Sequence, residues 1–136
     1  MTIFCRLLLL CTIMLGACTS EHPSQPTGQL AGKYASTAFT LLDPADRPID
    51  VQASGGSVVV SFVPGNAFTA TVNVPQGVSS TMGSGSTAYL GTYSLANDTI
   101  RLSGFIVDAL KWNPATNSIE AISPARGGIS FVLIKK

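Results

Sequence analysis

The chain has 136 residues, which is enough for one ordinary domain with a hydrophobic core. Only 11% of the residues are charged, and eight Lys and Arg residues against seven Asp and Glu residues give a formal net charge of +1. Basic residues form no patch except Lys135–Lys136 at the C terminus. A nucleic-acid-binding surface needs a basic footprint, so the composition argues against nucleic acid as a partner.

The N-terminal segment, residues 1–17, has the features of a cleaved secretory signal. Arg6 supplies a positive charge near its start, and an apolar stretch follows that begins with Leu7–Leu10 and ends with Ile13–Leu15. This stretch is much shorter than the roughly 20 apolar residues that a membrane-spanning helix requires. We therefore predict that residues 1–17 are absent from the mature protein.

The signal ends in Leu15-Gly16-Ala17-Cys18, which reads as a bacterial lipobox. In such signals the cysteine becomes the first mature residue, its thiol forms a thioether to diacylglycerol, and the new amino group is acylated. Two or more acyl chains give stable anchoring, because each buried methylene contributes about 0.8 kcal/mol. We predict that Cys18 carries this lipid anchor, whereas the alternative is a plain secretory signal with an incidental cysteine.

The residue after the cysteine bears on the location of the lipidated protein. An Asp at this position would resemble the inner-membrane retention signal of Gram-negative lipoproteins, but the residue is Thr19. We therefore expect a protein of the bacterial cell envelope, anchored in the outer membrane through Cys18 and facing the periplasm.

A short tether, residues 18–30, follows the signal. Pro23, Pro26 and Gly28 disfavour a regular element across it, so we predict a flexible link between the lipid and the domain. The tether contains His22, the only histidine of the chain, which we interpret as a solvated polar residue.

The domain predicted over residues 31–136 contains neither histidine nor cysteine, since Cys5 and Cys11 belong to the signal and Cys18 is lipidated. Catalysis by a Ser-His-Asp or Cys-His arrangement requires a histidine. Zinc and iron sites built from histidine or cysteine are excluded for the same reason. We expect a protein that is not an enzyme and has no metal, cofactor or catalytic residues.

Carboxylates are the remaining candidates for chemistry in the domain. Asp43 and Asp46 could hold a calcium ion, but the Asp-Pro-Ala-Asp sequence favours a turn and offers too few oxygen ligands. Asp108 interrupts an apolar run. An inward Asp108 would be a buried charge that needs a partner such as Arg101 or Arg126, whereas an outward Asp108 is part of a polar face. We favour the turn for the first pair and the outward direction for Asp108.

From residue 31 onward the sequence has the period of β-strands. Apolar and polar residues alternate without error over Phe68–Val74, which indicates one buried and one solvated face. Ser57–Val63 is rich in β-branched residues, and Pro64–Asn66 between the two has the right length for a hairpin turn. Further strands are predicted at Lys33–Leu42, Tyr89–Leu95, Thr99–Ser103, Phe105–Trp112, Ser118–Ile122 and Ile129–Ile134.

These short strands predict an all-β domain. The expected fold is a small antiparallel up-and-down barrel of about eight strands, because a closed barrel leaves no open sheet edge. The alternative is a β-sandwich. The Gly/Ser-rich link Pro75–Thr87 is either a mobile loop at the barrel mouth or an ordinary surface loop, and the latter is favoured.

Short segments of the domain resemble small bacterial lipocalin-like lipoproteins. Gly32-Lys33-Tyr34 stands where lipocalins open their first strand with Gly-x-Trp. Gly91–Leu102 resembles the G-x-Y-x-x-x-x-D-x-I-x-L hairpin that is frequent in this group, and the hairpin at Pro64–Ala70 is similar to another recurrent segment. The resemblance implies a calycin-type barrel, although the opening Trp is replaced by Tyr and no C-terminal helix is evident.

This resemblance implies that the barrel interior binds a small apolar ligand, by burial of apolar surface and by one or two polar groups that fix its orientation. The candidate ligand-binding residues are Tyr34, Phe68, Val72, Tyr93, Ile100 and Asp108. For the aromatic residues, core packing is the alternative role. The alternative function is a non-catalytic envelope module that contacts another protein through the barrel surface or loops.

We predict that Cys18→Ala abolishes lipid attachment, because it removes the thiol that accepts the diacylglycerol. Incorporation of labelled palmitate by growing cells measures this. Cys11→Ala is the matched control, since it removes a cysteine from the signal and leaves Cys18 in place. Label in Cys18→Ala at the wild-type level would contradict the lipobox interpretation.

Overall fold

The structure is a computed structural model that describes residues 27–78, 80–121 and 128–136. Within these ranges one short helix, α1 (Thr27–Leu30), precedes the strands of a single antiparallel sheet. The strands are β1 (Gly32–Leu42), β2 (Pro48–Asp50), β3 (Ser57–Val63), β4 (Ala67–Val74), β5 (Gly85–Ala96), β6 (Thr99–Ser103), β7 (Ala109–Asn113), β8 (Ser118–Ala121) and β9 (Ser130–Lys135).

The sheet closes into a barrel. From β3 to β9 each strand pairs with the next along the chain, and β1 completes the circle by pairing with both β3 and β9. The short β2 extends the sheet beside the end of β1. The prediction of an all-β, antiparallel up-and-down barrel is therefore confirmed, and the alternative of a β-sandwich is wrong. The barrel is compatible with the lipocalin-like fold that the sequence resemblance implies.

Strand bounds follow the predicted pattern where alternation is strong. Ser57–Val63 and Thr99–Ser103 have the predicted limits. Strand β5 begins earlier than predicted, at Gly85 rather than Tyr89, because residues 85–88 continue the ladder with β4. The end of the predicted strand Ser118–Ile122 lies outside the described residues.

The prediction of one strand over Phe105–Trp112 is wrong for its first half. The chain bends after Ser103, and β7 begins only at Ala109. Gly104 causes the bend, since its φ of 97° lies in the region that glycine adopts without steric cost. Residues 104–108, which we call the bridging segment, form the loop between β6 and β7, and the Asp108 carbonyl oxygen accepts a hydrogen bond of 2.9 Å from the Leu102 N–H.

The prediction of no regular element in the tether, residues 18–30, is wrong for residues 27–30, because α1 lies there. A proline directly before the first helical turn is compatible with a helix, because the first N–H groups have no intrahelical partner. Leu30 is fully buried in the core. The backbone oxygen of Gln29 accepts a hydrogen bond of 2.7 Å from Lys135 Nζ, which attaches α1 to the end of β9.

The two ends of the barrel differ in their connections. The lower end holds the start of β1, the end of β9 and the tight turns at residues 64–66, 97–98 and 114–117. The upper end holds the longer links, among them residues 75–84 and the bridging segment. The interior between them is filled by the inward side chains of all eight barrel strands, as in β4, where Phe68, Ala70, Val72 and Val74 are buried.

The barrel wall is lower on the side of β6, β7 and β8. Strand β5 pairs with β4 over residues 85–92 but with β6 only over residues 92–96. In the described part of the chain, the upper part of β5 thus has a strand neighbour on one side only. The bridging segment occupies the gap above the low wall.

A close approach between β5 and β6 fixes this geometry. A Cβ atom at Gly91 would collide with the Ser103 carbonyl oxygen and would lie 2.8 Å from Phe68 Cε1. A Cβ atom at Gly104 would lie 2.6 Å from the Leu90 carbonyl oxygen. Both positions therefore require glycine, because the backbone that follows β6 passes directly against β5.

We predict that Gly91→Ala lowers the free energy of unfolding by about 1–3 kcal/mol, the usual cost of forcing extra atoms into a packed region. Urea unfolding monitored by circular dichroism measures the change. Thr92→Ala is the control, because Thr92 is the exposed neighbour on the same strand and should change the value by less than about 0.5 kcal/mol. Equal midpoints for Gly91→Ala and the wild type would refute the close approach.

Candidate functional site

Aromatic rings form a continuous path through the barrel interior. Tyr34 near the lower end lies 5.9 Å from Phe62, measured between ring centroids. Phe62 lies 4.9 Å from Tyr93 and 6.4 Å from Phe68. Several of these contacts are edge-to-face, the arrangement in which ring quadrupoles attract. These rings link the inner faces of β1, β3, β4 and β5.

Above the low wall of β6–β8, three rings meet around Phe105. This ring of the bridging segment lies 5.9 Å from Phe68, 5.1 Å from Tyr89 and 6.3 Å from Phe131. Phe68 and Phe131 are buried, whereas Phe105 and Tyr89 are partly exposed. We call these four residues the ring cluster. Through Phe105 the bridging segment contacts β4, β5 and β9 and covers the interior above the low wall.

The lower end contains two buried polar atoms without a hydrogen-bond partner in the described structure, Tyr34 Oη and Trp112 Nε1. The pKa of the Tyr34 hydroxyl is raised above its ordinary value, mainly by burial. The Trp112 side chain opposes this increase, and Tyr93 adds to it. Tyr34 is therefore neutral at physiological pH. Lys135 Nζ lies 5.8 Å from the centroid of the Tyr34 ring, at an attractive cation–π distance.

Five of the six predicted ligand-binding residues lie inside the barrel. These buried residues are Tyr34, Phe68, Val72, Tyr93 and Ile100. Tyr93 Oη donates a hydrogen bond of 3.4 Å to the Val63 carbonyl oxygen, and burial raises the pKa of the Tyr93 hydroxyl. Tyr34 and Tyr93 each contact Phe62, and Phe68 belongs to the ring cluster. Their role in binding stays a prediction.

The sixth predicted residue, Asp108, is not brought together with the other five. Its side chain is exposed, and its backbone oxygen accepts a hydrogen bond of 2.9 Å from the Leu102 N–H. The outward direction favoured by the sequence is the one observed. Cys18 and Arg126 lie outside the described residues.

Asp43 organises the turn that follows β1. Its Oδ1 accepts hydrogen bonds from the backbone N–H groups of Ala45 at 2.8 Å and Arg47 at 2.9 Å, and its Oδ2 lies 2.7 Å from an Arg47 guanidinium nitrogen. Asp46 in the same turn has a φ of 58°, which Asp tolerates in turns. The geometry is that of the predicted turn. Within residues 27–78, 80–121 and 128–136, no group of three or more His, Cys, Asp or Glu side chains could hold a metal ion.

Two surface depressions lie at the barrel ends. One, of about 400 Å³, lies beside the Asp43 turn and is also lined by Ile49 and Val78. The other, of about 320 Å³, lies at the lower end between Lys111 and Glu120. None of the six predicted ligand-binding residues lines either depression, so neither extends the predicted site.

Sequence reasoning missed an uncharged side of the barrel. No charged residue occurs between Asp50 and Asp98, and this stretch forms β3, β4 and β5. We call the outer side of these strands the uncharged face. Its outward side chains include Val59, Ser61, Val63, Thr69, Thr71, Ala88, Leu90 and Thr92. Leu90 is 76% exposed, which is the highest value among the exposed large apolar side chains of the described residues.

No protein-family model and no curated protein matches this chain. In the part of the chain that the structure describes, no helix combines the length and the apolar character needed to cross a membrane. The ring cluster and the uncharged face are therefore the features on which functional proposals rest.

We predict that Asp43→Asn destabilises the domain at neutral pH and that the difference from the wild type disappears in acid. The hydrogen bond from the Arg47 backbone N–H is the main cause that holds the pKa of Asp43 below its ordinary value. Burial has a smaller opposing effect. The Arg47 side chain and the Ala45 N–H lower the pKa of Asp43 further. A carboxylate with a lowered pKa stabilises the folded state above its unfolded pKa, about 3.9. This stabilisation is lost as the pH falls through the lower folded value.

Urea midpoints measured between pH 7 and pH 2.5 test this prediction. Asp46→Asn is the control, since Asp46 lies in the same turn and its carboxylate accepts none of the hydrogen bonds described above. A constant difference between Asp43→Asn and the wild type across the whole range would contradict the role of Asp43.

Proposed function

We propose that this chain is a lipid-anchored protein of the bacterial cell envelope and that its barrel binds a small apolar ligand at the upper end. The ring cluster is the observation that carries the binding proposal. The Leu15–Cys18 motif supports the anchor, and Thr19 supports the outer membrane, with the domain in the periplasm. The barrel fold is compatible with such a lipocalin-like role.

The binding site would form where Phe105 now packs. Its ring contacts Phe68, Tyr89 and Phe131, yet it belongs to a segment outside any strand. Outward movement of this segment would expose an apolar surface made of the three other rings. A ring-sized apolar group of a ligand would then bury that surface, at about 25 cal/mol per Å².

We propose binding rather than catalysis. The side chains of the ring cluster are hydrocarbon rings, apart from the hydroxyl of Tyr89. Residues 31–136 contain no histidine or cysteine for nucleophilic or proton-transfer chemistry. The ligand would be held by the burial of apolar surface and by ring contacts.

A second candidate function is a non-catalytic envelope module that binds another protein. The uncharged face with its exposed Leu90 favours it, because exposed apolar groups on a flat sheet are typical of interaction surfaces. The filled interior also favours it, since the inward side chains already bury one another.

The ligand proposal predicts that Phe105→Ala binds an apolar probe more tightly than the wild type. The ring that occupies the site is removed, so the probe no longer has to displace it, and we expect affinity about tenfold higher, or 1.4 kcal/mol. The measurement is fluorescence titration with N-phenyl-1-naphthylamine. The protein is the mature chain, residues 18–136, with Cys18→Ser so that it remains soluble without detergent.

Leu90→Ser is the matched control, because Leu90 is apolar but lies on the outer surface. It should bind the probe with wild-type affinity. Circular dichroism establishes that each variant is folded. Equal affinities for Phe105→Ala and the wild type, or loss of binding in Leu90→Ser, would place the probe elsewhere and refute the proposed site.

A further inference from the structure

Three lysines lie together at the lower end, where α1 joins the barrel. Lys33 is the second residue of β1, and Lys135 is the last residue of β9. The N–H of Lys136 donates a hydrogen bond of 2.9 Å to the Lys33 carbonyl oxygen, which brings these two residues side by side. Lys135 Nζ donates to the carbonyl oxygen of Gln29 in α1. We call Lys33, Lys135 and Lys136 the lysine cluster.

The positive charge of the lysine cluster faces solvent without a counter-charge. In the described part of the chain, no side-chain carboxylate lies within ion-pair distance of these lysines. On the neighbouring strand β8, Glu120 pairs with Val132, three residues before Lys135. The side chains of Lys33 and Lys136 are exposed. The cluster is therefore available to an anionic partner.

Acidic residues collect at the opposite end of the barrel. Asp43, Asp46 and Asp50 follow the upper end of β1, and Asp108 comes directly before β7, above the low wall. The guanidinium of Arg47 pairs with Asp43 and leaves the other three carboxylates uncompensated in the described structure. An anionic surface therefore attracts the lower end of the barrel and repels the upper end.

Two exposed apolar side chains lie beside the lysine cluster. Ile134, directly before Lys135, is 41% exposed. Val63 is 43% exposed, and it lies beside the start of β1 because the preceding residue, Phe62, pairs with Gly32. Apolar groups enter the boundary between lipid headgroups and acyl chains, while lysines attract anionic headgroups. The combination fits a lipid interface better than a soluble anion.

We propose that the lysine cluster docks the barrel onto an anionic lipid surface, with headgroup phosphates as the partners of the lysines. The inference rests on the proposed anchor at Cys18, which selects a membrane as the occupant. Residues 18–26 separate that anchor from α1 and span at most about 30 Å when fully extended. Because Lys135 holds α1, the anchor keeps the lysine cluster close to the headgroups.

The tether makes this weak contact sufficient. A lysine near an anionic lipid surface strengthens association about fivefold, so three lysines alone hold a soluble protein poorly. A lipid anchor turns docking into an intramolecular event and supplies a high effective concentration of headgroups. The docked state therefore forms on anionic membranes and dissociates at high salt, since salt screens exposed charges.

Energy transfer from protein to membrane measures docking. The mature chain, residues 18–136, has Cys18 as its single cysteine, so its thiol is coupled to a maleimide lipid in vesicles. The donor is Trp112, the only tryptophan, which lies one residue before the lower end of β7. The acceptor is a dansyl group on phosphatidylethanolamine headgroups.

We expect stronger transfer in vesicles of equal parts phosphatidylcholine and phosphatidylglycerol than in vesicles of phosphatidylcholine alone. The difference should disappear in about 1 M salt, where the Debye length is about 3 Å. Equal transfer in the two kinds of vesicle at low salt would overturn the proposal.

Two double variants test whether the cluster or the overall charge is responsible. Lys33→Gln with Lys136→Gln keeps Lys135 and its contact with α1, and should lower the ratio of docked to undocked protein about thirtyfold. Arg101→Gln with Lys111→Gln is the matched control, since it removes the same charge from exposed side chains of β6 and β7. It should dock as the wild type does. Equal loss in both double variants would overturn the role of the cluster.

Failure of the anchor and failure of docking give different results. The coupled lipid replaces a natural one, so energy transfer does not depend on lipid attachment in cells, which palmitate incorporation at Cys18 tests separately. Circular dichroism establishes that each variant is folded. A protein that incorporates palmitate in cells but shows no dependence of transfer on anionic lipid would keep the anchor and refute docking.

Discussion

The packing of the Phe105 ring against Phe68, Tyr89 and Phe131 determines how the upper half of the barrel is built. Because this ring lies inside, the chain after β6 cannot continue the wall beside β5. Three consequences follow from the same contact: the wall is low along β6–β8, the interior is covered by a segment rather than by strands, and the upper edge of β5 has no strand neighbour in the described residues.

Movement of the bridging segment would expose the rings of Phe68, Tyr89 and Phe131 to a ligand. This movement costs the burial of the Phe105 ring, and because that ring is already partly exposed, the cost is below the roughly 1.5–3 kcal/mol of a fully buried phenylalanine. A ligand whose apolar part matches a ring would recover that burial, so discrimination would depend on shape and apolar area rather than on charge.

Sequence reasoning succeeded where the determining information is local. The alternation in β3 and β4 and the turn residues between them specify that hairpin without reference to the rest of the chain. It failed over residues 105–108, because an apolar run is compatible with a strand as well as with a loop. The contacts that place the Phe105 ring come from β4, β5 and β9, which are distant in the sequence. The early start of β5 at Gly85 also comes from pairing with β4, not from its own polar residues. The uncharged face was visible as a gap between Asp50 and Asp98, but its location on one side of the barrel depends on the strand order.

Helix α1 attaches to the barrel at its lower end. Leu30 is buried in the core and the Gln29 carbonyl oxygen accepts a hydrogen bond from Lys135, so the chain joins the barrel at the end opposite the bridging segment. With a lipid on Cys18, the bridging segment would lie at the end of the barrel farther along the chain's path from the anchor.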